Sequence, residues 1–157
     1  MSLAPLRTAL VTGGARGIGL AIGRALFDSG CQVVLTDVDE EALNVAVQAL
    51  DSTGERVMGR PLDVTKPSAW ARVIQEVGEL WGPIDILINN AGIMVIGEYL
   101  EVELPLDERQ MNINVWGVLH GQRAVLPEML RRGRGHVVNI ASAAGQVGVP
   151  YAAVYSA

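Results

Sequence analysis

The sequence predicts an α/β fold, a Rossmann-like doubly wound parallel sheet with helices on both faces. Three observations lead to this prediction. Short apolar runs alternate with longer segments in which apolar residues recur every three or four positions. The first run leads into a glycine-rich turn, and the second ends at an acidic residue. Because parallel neighbours need crossover connections, this alternation is typical of a parallel sheet.

Length and composition limit the class of protein. The chain has 157 residues, of which 50% are apolar and 18% charged, so we expect residues 1–157 to form a single domain with a buried core. A net charge of −5 argues against nucleic acid as a partner. The single cysteine, Cys31, fits a reducing compartment, and we see neither a signal peptide nor a membrane segment. We therefore expect a cytoplasmic protein without a membrane partner, and we predict no metal site.

The first half of the chain predicts three strands, each followed by a helix. The strands are expected at residues 7–12, 33–36 and 57–62. The first helix runs from Gly17 toward Gly30, and Asp39 is a suitable cap for the second. The third opens near Thr65 and Pro67, and its apolar residues predict one buried stripe: Trp70, Val73, Ile74, Val77, Leu80 and Trp81.

The second half continues the alternation. It predicts a strand at residues 84–88, a long helical region within 107–132 and a strand at 136–141. Right-handed crossovers then give a predicted strand order of 3-2-1-4-5. A ligand crevice is expected where this order reverses direction, at the carboxyl ends of the strands.

The segment between the first strand and the first helix carries the first chemical signal. Residues 12–19 read Thr-Gly-Gly-Ala-Arg-Gly-Ile-Gly. Glycines let such a turn bring backbone N–H groups close to a pyrophosphate, whose charge the helix N-terminus stabilises. The ending Gly-Lys-Ser/Thr of a nucleoside-triphosphatase loop is absent from the turn. The candidate phosphate-binding residues are Gly13, Arg16, Gly17, Ile18 and Gly19.

An acidic residue at the end of the second strand carries the next signal. Asp37 follows Gly19 by 18 residues, where a carboxylate accepts hydrogen bonds from the hydroxyls of an adenosine ribose. The same charge repels a 2′-phosphate, which favours NAD over NADP. Arg16, beside the turn, argues the other way because it offers a positive partner for such a phosphate. A solvated carboxylate without a ligand is the structural alternative for Asp37.

Six motifs in order make the chain resemble the short-chain dehydrogenase/reductase family. They are Thr12-Gly-x-x-x-Gly17-Ile18-Gly19, Asp63-Val64 after the third strand, Asn89-Asn90-Ala91-Gly92 after the fourth, Asn114 in the long helix, Ser142 at the end of the fifth strand, and Tyr155 thirteen residues later. Each motif is weak alone, but together they cover almost the whole chain.

The resemblance implies contacts with a dinucleotide. Asp63 would bind the adenine amino group, and the backbone N–H of Val64 a ring nitrogen. Asn90, Ala91 and Gly92 would pack against the cofactor's ribose and stiffen the central sheet. Two structural alternatives stay open: Asp63 as a cap for the helix near Thr65, and a purely scaffolding role for residues 89–92.

The resemblance also implies a reaction, hydride transfer between nicotinamide C4 and a secondary alcohol or ketone. Tyr155 would exchange the hydroxyl proton, Ser142 would hydrogen-bond the same oxygen, and Asn114 would hold a water in the proton relay. A phenol ordinarily has a pKa near 10, so a tyrosine base needs a nearby cation. In the family a lysine four residues after the tyrosine supplies it. A capping serine and a packing tyrosine are the alternatives for Ser142 and Tyr155.

The chain departs from the family pattern at its end. It stops two residues before the position of that lysine, and the family's later strands and helices are missing. A fifth strand left as an apolar edge is also a feature that folded proteins avoid. We therefore expect this sequence to be the N-terminal part of a longer chain, and we expect residues 1–157 alone to show negligible turnover.

The expected substrate is a small apolar carbonyl compound or alcohol, because the segments 93–104 and 145–150 that would border it are largely apolar. Family resemblance implies a homodimer or homotetramer paired through the long helix, whose apolar residues are Met111, Val115, Leu119, Val125, Leu126 and Met129. Two other functions remain: a catalytically inactive dinucleotide-binding or scaffold module, and a methyltransferase on a similar sheet.

Overall fold

The computed structural model describes residues 6–157. Its sheet has five strands in the order β3-β2-β1-β4-β5, and all neighbouring strands are parallel. This confirms the predicted fold class and strand order. The strands are Thr8–Thr12 (β1), Gln32–Asp37 (β2), Val57–Pro61 (β3), Ile86–Asn89 (β4) and His136–Asn139 (β5).

Helices follow each of the first four strands. They are Gly17–Asp28 (α1), Glu40–Leu50 (α2), Pro67–Trp81 (α3), Leu104–Met111 (α4), Gly117–Arg132 (α5) and the single turn Ala153–Ser156 (α6). A π-helical segment, Asn112–Trp116, joins α4 to α5, and a 3-10 turn, Ala143–Gly145, follows β5. Within the described residues, none of these helices is both long and apolar enough to span a bilayer.

The two faces of the sheet have separate cores because successive strand residues point to opposite sides. In β1, Ala9 and Val11 pack with α1 and α2, whereas Leu10 packs with α3 and α5. All three are fully buried. A strand buried on both faces reads as a continuous apolar run, which is why β1 could be predicted from sequence.

The third helix corrects one detail of the predicted stripe. Trp70, Val73 and Val77 are buried, but Leu80 is 60% exposed. Ile74 and Trp81 are only half-buried. Leu80 lies in the last turn of the helix, which ends at Trp81. Ile74 and Trp81 still pack against the core, so the helix stays in contact with it to its last residue. The apolar spacing was wrong only in placing Leu80 on the buried face.

Strand boundaries shifted at β4 and β5. The fourth strand begins at Ile86, not at residue 84. Asp85, which precedes it, uses its carboxylate to tie this end of the sheet to α5 and β1. Its carboxylate pairs with Arg132 at 2.6 Å and accepts a hydrogen bond from the backbone N–H of Thr8 at 3.1 Å. The fifth strand ends at Asn139 instead of residue 141, three residues before the loop turns at Ser142.

The long helical region is also larger and less regular than predicted. It begins at Leu104 and is interrupted by the π-helical segment. Of its expected pairing residues, Val125 and Met129 are buried in the core. They are therefore not available for contact with another subunit. The other four are more than one-third exposed: Met111, Val115, Leu119 and Leu126.

Candidate functional site

A pocket of about 550 Å³ lies at the carboxyl ends of β1 to β4. We call it the switch-point pocket, because the strand order reverses direction between β1 and β4 at this edge. Eight predicted site residues line it: Gly13, Arg16, Asp37, Asp63, Val64, Asn90, Ala91 and Gly92. The lining not predicted from the sequence consists of Val38, Leu62, Thr65, Ile93, Arg109 and Ile113.

The glycine-rich turn brings bare backbone to one wall of this pocket. Gly13 has a φ of +61°, and a Cβ there would lie 3.0 Å from the Cα of Ala91. At Gly19 a Cβ would lie 2.1 Å from the carbonyl oxygen of Gly13, closer than atoms can approach. The first turn of α1 contains no acidic residue. Its N-terminus therefore keeps its positive field for an anion.

Asn90 orients this turn from the neighbouring strand. Its side-chain amide donates to the carbonyl oxygens of Thr12 at 2.8 Å and Gly13 at 3.2 Å. The Thr12 hydroxyl accepts from the backbone N–H groups of Asn90 and Ala91, both at 3.0 Å. These bonds join segments 78 residues apart in the chain. Thr12 is only 1% exposed and positions the segment that begins at Asn90. It belongs to the glycine-rich motif but was not among the predicted site residues.

The carboxylate of Asp37 sits at the mouth of the pocket and is held by backbone. It accepts hydrogen bonds from the N–H groups of Ala15 at 3.2 Å, Val38 at 2.8 Å and Asp39 at 3.2 Å. A carboxylate has about four acceptor positions. About one position is left for a ligand hydroxyl, so a ribose would meet a fixed acceptor that needs no reorganisation.

Arg16 faces the same mouth but is already paired. Its guanidinium forms an ion pair with Asp39, whose other oxygen accepts the backbone N–H of Ala42 at 3.0 Å and caps α2. The Ala42 N–H, and then Arg16, lower the pKa of Asp39 below its ordinary value. The predicted capping role of Asp39 is confirmed. The ion pair was missed, because the sequence does not show which acid a side chain meets across two loops.

Asp63, which also lines the pocket, makes a local turn with Thr65. It does not cap α3, its structural alternative in the sequence analysis, because that helix begins after Lys66 without a side-chain cap. The Oδ1 atom of Asp63 accepts from the backbone N–H of Thr65 at 2.9 Å and from the Thr65 hydroxyl at 2.7 Å. Both contacts use the same oxygen, so Oδ2 is the atom that a ligand would engage. The carbonyl of Val64 accepts the indole N–H of Trp70 at 3.0 Å, which ties this part of the pocket lining to α3.

Two amide side chains hold the loop that follows β4. The Asn114 amide accepts from the Ile93 N–H at 2.9 Å and donates to the Ile93 carbonyl at 2.8 Å. Four residues earlier, buried Gln110 accepts from the Val95 N–H at 2.6 Å. Asn114 lies within the π-helical segment, a distortion that is frequent at functional sites. Gln110 was missed because a glutamine inside a polar helix gives no sequence sign that it is buried.

Ser142 and Tyr155 lie outside the lining of the switch-point pocket. The Ser142 hydroxyl accepts from the Ala144 N–H at 3.1 Å and caps the 3-10 turn, while the residue is exposed. Tyr155 is half-buried on α6, which packs against that same 3-10 turn. The structure therefore brings the elements that carry the two side chains together. It places them beside the end of β5, away from Asp37 and the glycine-rich turn.

The strand order and the position of the pocket define a Rossmann-like α/β domain. The family model for short chain dehydrogenases matches residues 7–157. This chain belongs to the short-chain dehydrogenase family, a family of oxidoreductases.

Two curated relatives illustrate the range of that family. The chain is 37% identical over 151 residues to ketoacyl reductase HetN of Nostoc sp., an alignment that covers 96% of this chain and 53% of the relative. It is 38% identical over 143 residues to the 3-alpha-(or 20-beta)-hydroxysteroid dehydrogenase of Mycobacterium tuberculosis, covering 90% of this chain and 54% of the relative. The chain therefore spans little more than half the length of these proteins.

Two solved structures give the same picture. A short-chain dehydrogenase/reductase from Burkholderia phymatum in complex with NAD is 33% identical with a TM-score of 0.92, over 97% of this chain and 54% of that one. A variant of actinorhodin polyketide ketoreductase with NADPH is 38% identical with a TM-score of 0.92, over 96% and 59% respectively. Both nicotinamide dinucleotides thus occur among these neighbours.

Proposed function

We propose that this chain carries the dinucleotide-binding part of an NAD-dependent oxidoreductase that interconverts secondary alcohols and ketones. One observation carries the proposal. The glycine-rich turn, the fixed carboxylate of Asp37 and the segment 90–92 converge on one pocket at the switch point of the sheet. An extended dinucleotide presents a ribose, a pyrophosphate and a second ribose in that order, and Asp37, the turn and segment 90–92 would bind these three groups respectively.

The residues present fit such a cofactor. The close packing at Gly13 and Gly19 leaves no room for a side chain. The N–H groups of Gly14 and Ala15 already donate to the Thr36 carbonyl and the Asp37 carboxylate, so the N–H groups at the start of α1 would bind the pyrophosphate. Gly17 and the exposed Ile18 would border it. Asp37 would accept from the ribose, while Asp63 and Val64 would meet the adenine. Asn90, Ala91 and Gly92 would contact the second ribose. Bound there, the nicotinamide supplies a hydride acceptor or donor.

The catalytic groups of this proposal are Tyr155, Ser142 and Asn114. The Tyr155 hydroxyl would take or give the substrate proton, and the Ser142 hydroxyl would donate to the substrate oxygen as negative charge develops there. Since Ser142 uses its oxygen as an acceptor from Ala144, its own proton remains free to donate. Asn114 would position the relay through the loop at Ile93.

The charges around the ribose position support NAD as the cofactor. Asp37 repels a 2′-phosphate, and Arg16 is engaged by Asp39. Apolar side chains on the flanking loops support an apolar substrate, since Met94, Ile96, Val147 and Val149 are 42–71% exposed. We also propose that the protein forms a homodimer or homotetramer, using the four exposed apolar residues of the long helical region.

Titration calorimetry with NAD and NADP on this chain tests the binding step. We expect NAD to bind more tightly than NADP. We expect Asp37→Ser to weaken NAD binding and to reduce the difference in affinity between NAD and NADP. Failure of both dinucleotides to bind well-folded chain at millimolar concentration would contradict the proposal.

The catalytic step is tested in the longest natural form of the protein, by following nicotinamide absorbance with a panel of secondary alcohols and ketones. Tyr155→Phe should abolish turnover and leave NAD binding unchanged. If the protein binds NAD but turns over none of these alcohols and ketones, a dinucleotide-binding or scaffold role would be favoured instead. Tighter binding of S-adenosylmethionine than of NAD would favour a methyltransferase.

A further inference from the structure

The mouth of the switch-point pocket holds one basic and two acidic side chains at neighbouring positions. Arg16 and Asp37 line the pocket, whereas Asp39 contacts Arg16 and does not belong to the lining. Asp39 divides its two oxygens between different partners. Oδ1 accepts the Ala42 N–H at the start of α2, and Oδ2 pairs with the guanidinium of Arg16.

This division of contacts means that the charge of Asp39 can be removed without removing the helix cap. Serine and asparagine cap helices as well as aspartate does, since an uncharged oxygen also accepts the N–H. The ion pair, in contrast, requires the carboxylate. Substitution of Asp39 can therefore remove its ion pair with Arg16 and keep its cap on α2.

A free arginine at this position would favour a phosphate. A guanidinium binds phosphate through paired, charge-assisted hydrogen bonds, which an arginine already paired with a carboxylate must first give up. Arg16, Asp37 and Asp39 together carry one positive and two negative charges, so a 2′-phosphate placed among them would meet net repulsion. Without Asp39 the three positions would be neutral in sum.

We infer that Asp39 is a specificity-determining residue that keeps the pocket selective for NAD by occupying Arg16. This inference rests on the proposed dinucleotide function and extends it. Asp37 acts directly, by repelling a 2′-phosphate and accepting from a ribose hydroxyl. Asp39 acts through Arg16, by withholding the cation that would otherwise compensate for that repulsion.

The effect is expected to be moderate, because the ion pair is exposed. The side chains of Arg16 and Asp39 are 67% and 44% accessible, and pairs in such surroundings are weak and screened by salt. Asp39→Ser should therefore tighten NADP binding about fivefold, the upper range for an exposed pair. NAD binding should change less than about twofold, and the gain for NADP should shrink at high salt.

The experiment measures dissociation constants of NAD and NADP by calorimetry for the wild-type chain, Asp39→Ser, Arg16→Gln and the double variant. Glu40→Gln is the matched control: it removes the same charge from the adjacent exposed position in the same helix turn. That control should leave the NADP/NAD ratio nearly unchanged. The double variant, Arg16→Gln with Asp39→Ser, should not show the tighter NADP binding expected of Asp39→Ser, because it lacks the arginine that would bind the phosphate.

Several results would overturn the inference. An unchanged ratio in Asp39→Ser would do so, as would a gain that survives in the double variant or appears equally in Glu40→Gln, since these would reflect lost charge and not a released Arg16. Weaker NAD binding in Asp39→Ser would show that Arg16 turns to Asp37 instead. If Asp39→Ser fails to give a cooperative thermal transition, Asp39→Asn takes its place. Absence of binding by the wild-type chain would instead refute the proposed function itself.

Discussion

The carboxyl ends of β1, β2 and β4 differ from the carboxyl end of β5 in how their polar groups are held. At the first region, the Thr12 hydroxyl and the Asn90 amide bond to each other's segments across 78 residues of chain. At the second, the Ser142 hydroxyl bonds to an N–H only two residues away. The Thr12 and Asn90 side chains thus join two strand ends, whereas the Ser142 hydroxyl closes a turn within its own loop.

The largest expected difference between the two regions concerns glycine. Gly19→Ala places a methyl group 2.1 Å from the Gly13 oxygen, and overpacking of this kind costs about 1–3 kcal/mol. Because the backbone that must move belongs to the turn proposed to bind the pyrophosphate, we expect NAD affinity to fall about tenfold or more. Calorimetry and thermal unfolding measure the two effects.

Gly145→Ala is the matched control beside β5. Among residues 6–157, no atom lies within 4 Å of a Cβ at that position. We expect the melting temperature and NAD affinity to stay near the wild-type values. A loss in Gly145→Ala as large as that in Gly19→Ala would mean that the two regions are equally constrained.

The next prediction compares how much the hydroxyl groups of Thr12 and Ser142 contribute to the free energy of unfolding. Thr12→Val keeps the shape of a buried side chain but leaves the N–H groups of Asn90 and Ala91 without their acceptor. Unsatisfied buried donors cost about 1–3 kcal/mol, so we expect the free energy of unfolding to fall by about 2 kcal/mol. Ser142→Ala removes one bond at an exposed turn and should cost less than about 0.5 kcal/mol. Urea unfolding of both variants checks this, and equal losses would contradict the comparison.

A smaller effect is expected where the π-helical segment meets the loop after β4. Asn114→Leu removes both hydrogen bonds to the backbone of Ile93. We expect about 1–2 kcal/mol of destabilisation, together with faster amide exchange at Ile93. Asn112→Leu is the control, since Asn112 is an exposed residue of the same segment. If exchange at Ile93 is unchanged in Asn114→Leu, Asn114 does not hold this loop.

The last prediction concerns the pH dependence of stability and the loop that joins α2 to β3. The Thr53 hydroxyl, and then the Arg56 N–H, lower the pKa of Asp51 from 3.8 to about 2. A lowered pKa in the folded state stabilises the protein above the ordinary value of about 4, and that stabilisation is lost as the pH falls toward 2. Asp51→Asn should therefore flatten the decline of unfolding free energy between pH 4 and pH 2. Asp28→Asn, which removes an exposed carboxylate, is the control and should leave this decline unchanged. If the unfolding free energy falls equally steeply with pH in the wild type and both variants, Asp51 does not stabilise the fold in this way.

Much of the fold could be predicted because its signals are local. The buried run of β1, the cap at Asp39 and the turn at residues 12–19 each need only a few neighbouring residues to be recognised. Strand order also followed, because alternating strands and helices allow few connections. The inclusion of Leu80 in the buried stripe of α3 was wrong because spacing alone does not locate the margin of that stripe. Leu80 is 60% exposed, whereas Trp81 beside it packs against the core.

The site was predicted unevenly. Asp37, Asn90 and the glycines could be selected because their chemistry is tied to fixed positions after strands. The buried Gln110, the ion pair of Arg16 with Asp39 and the hydroxyl of Thr12 as a double acceptor depend on which loops meet. No spacing rule contains that information, because the partners lie between 15 and 79 residues apart.

The sequence by itself determined the layered α/β architecture, the order of its strands and the edge at which chemistry would be found, since periodicity, turn residues and connection rules act over short stretches of chain. Only the tertiary structure decided which oxygen of Asp39 meets Arg16, how many acceptor positions Asp37 retains and which side chains hold the loop after β4. These contacts depend on distances between segments remote in sequence, and a hydrogen bond or ion pair forms only when packing brings both partners within about 3 Å.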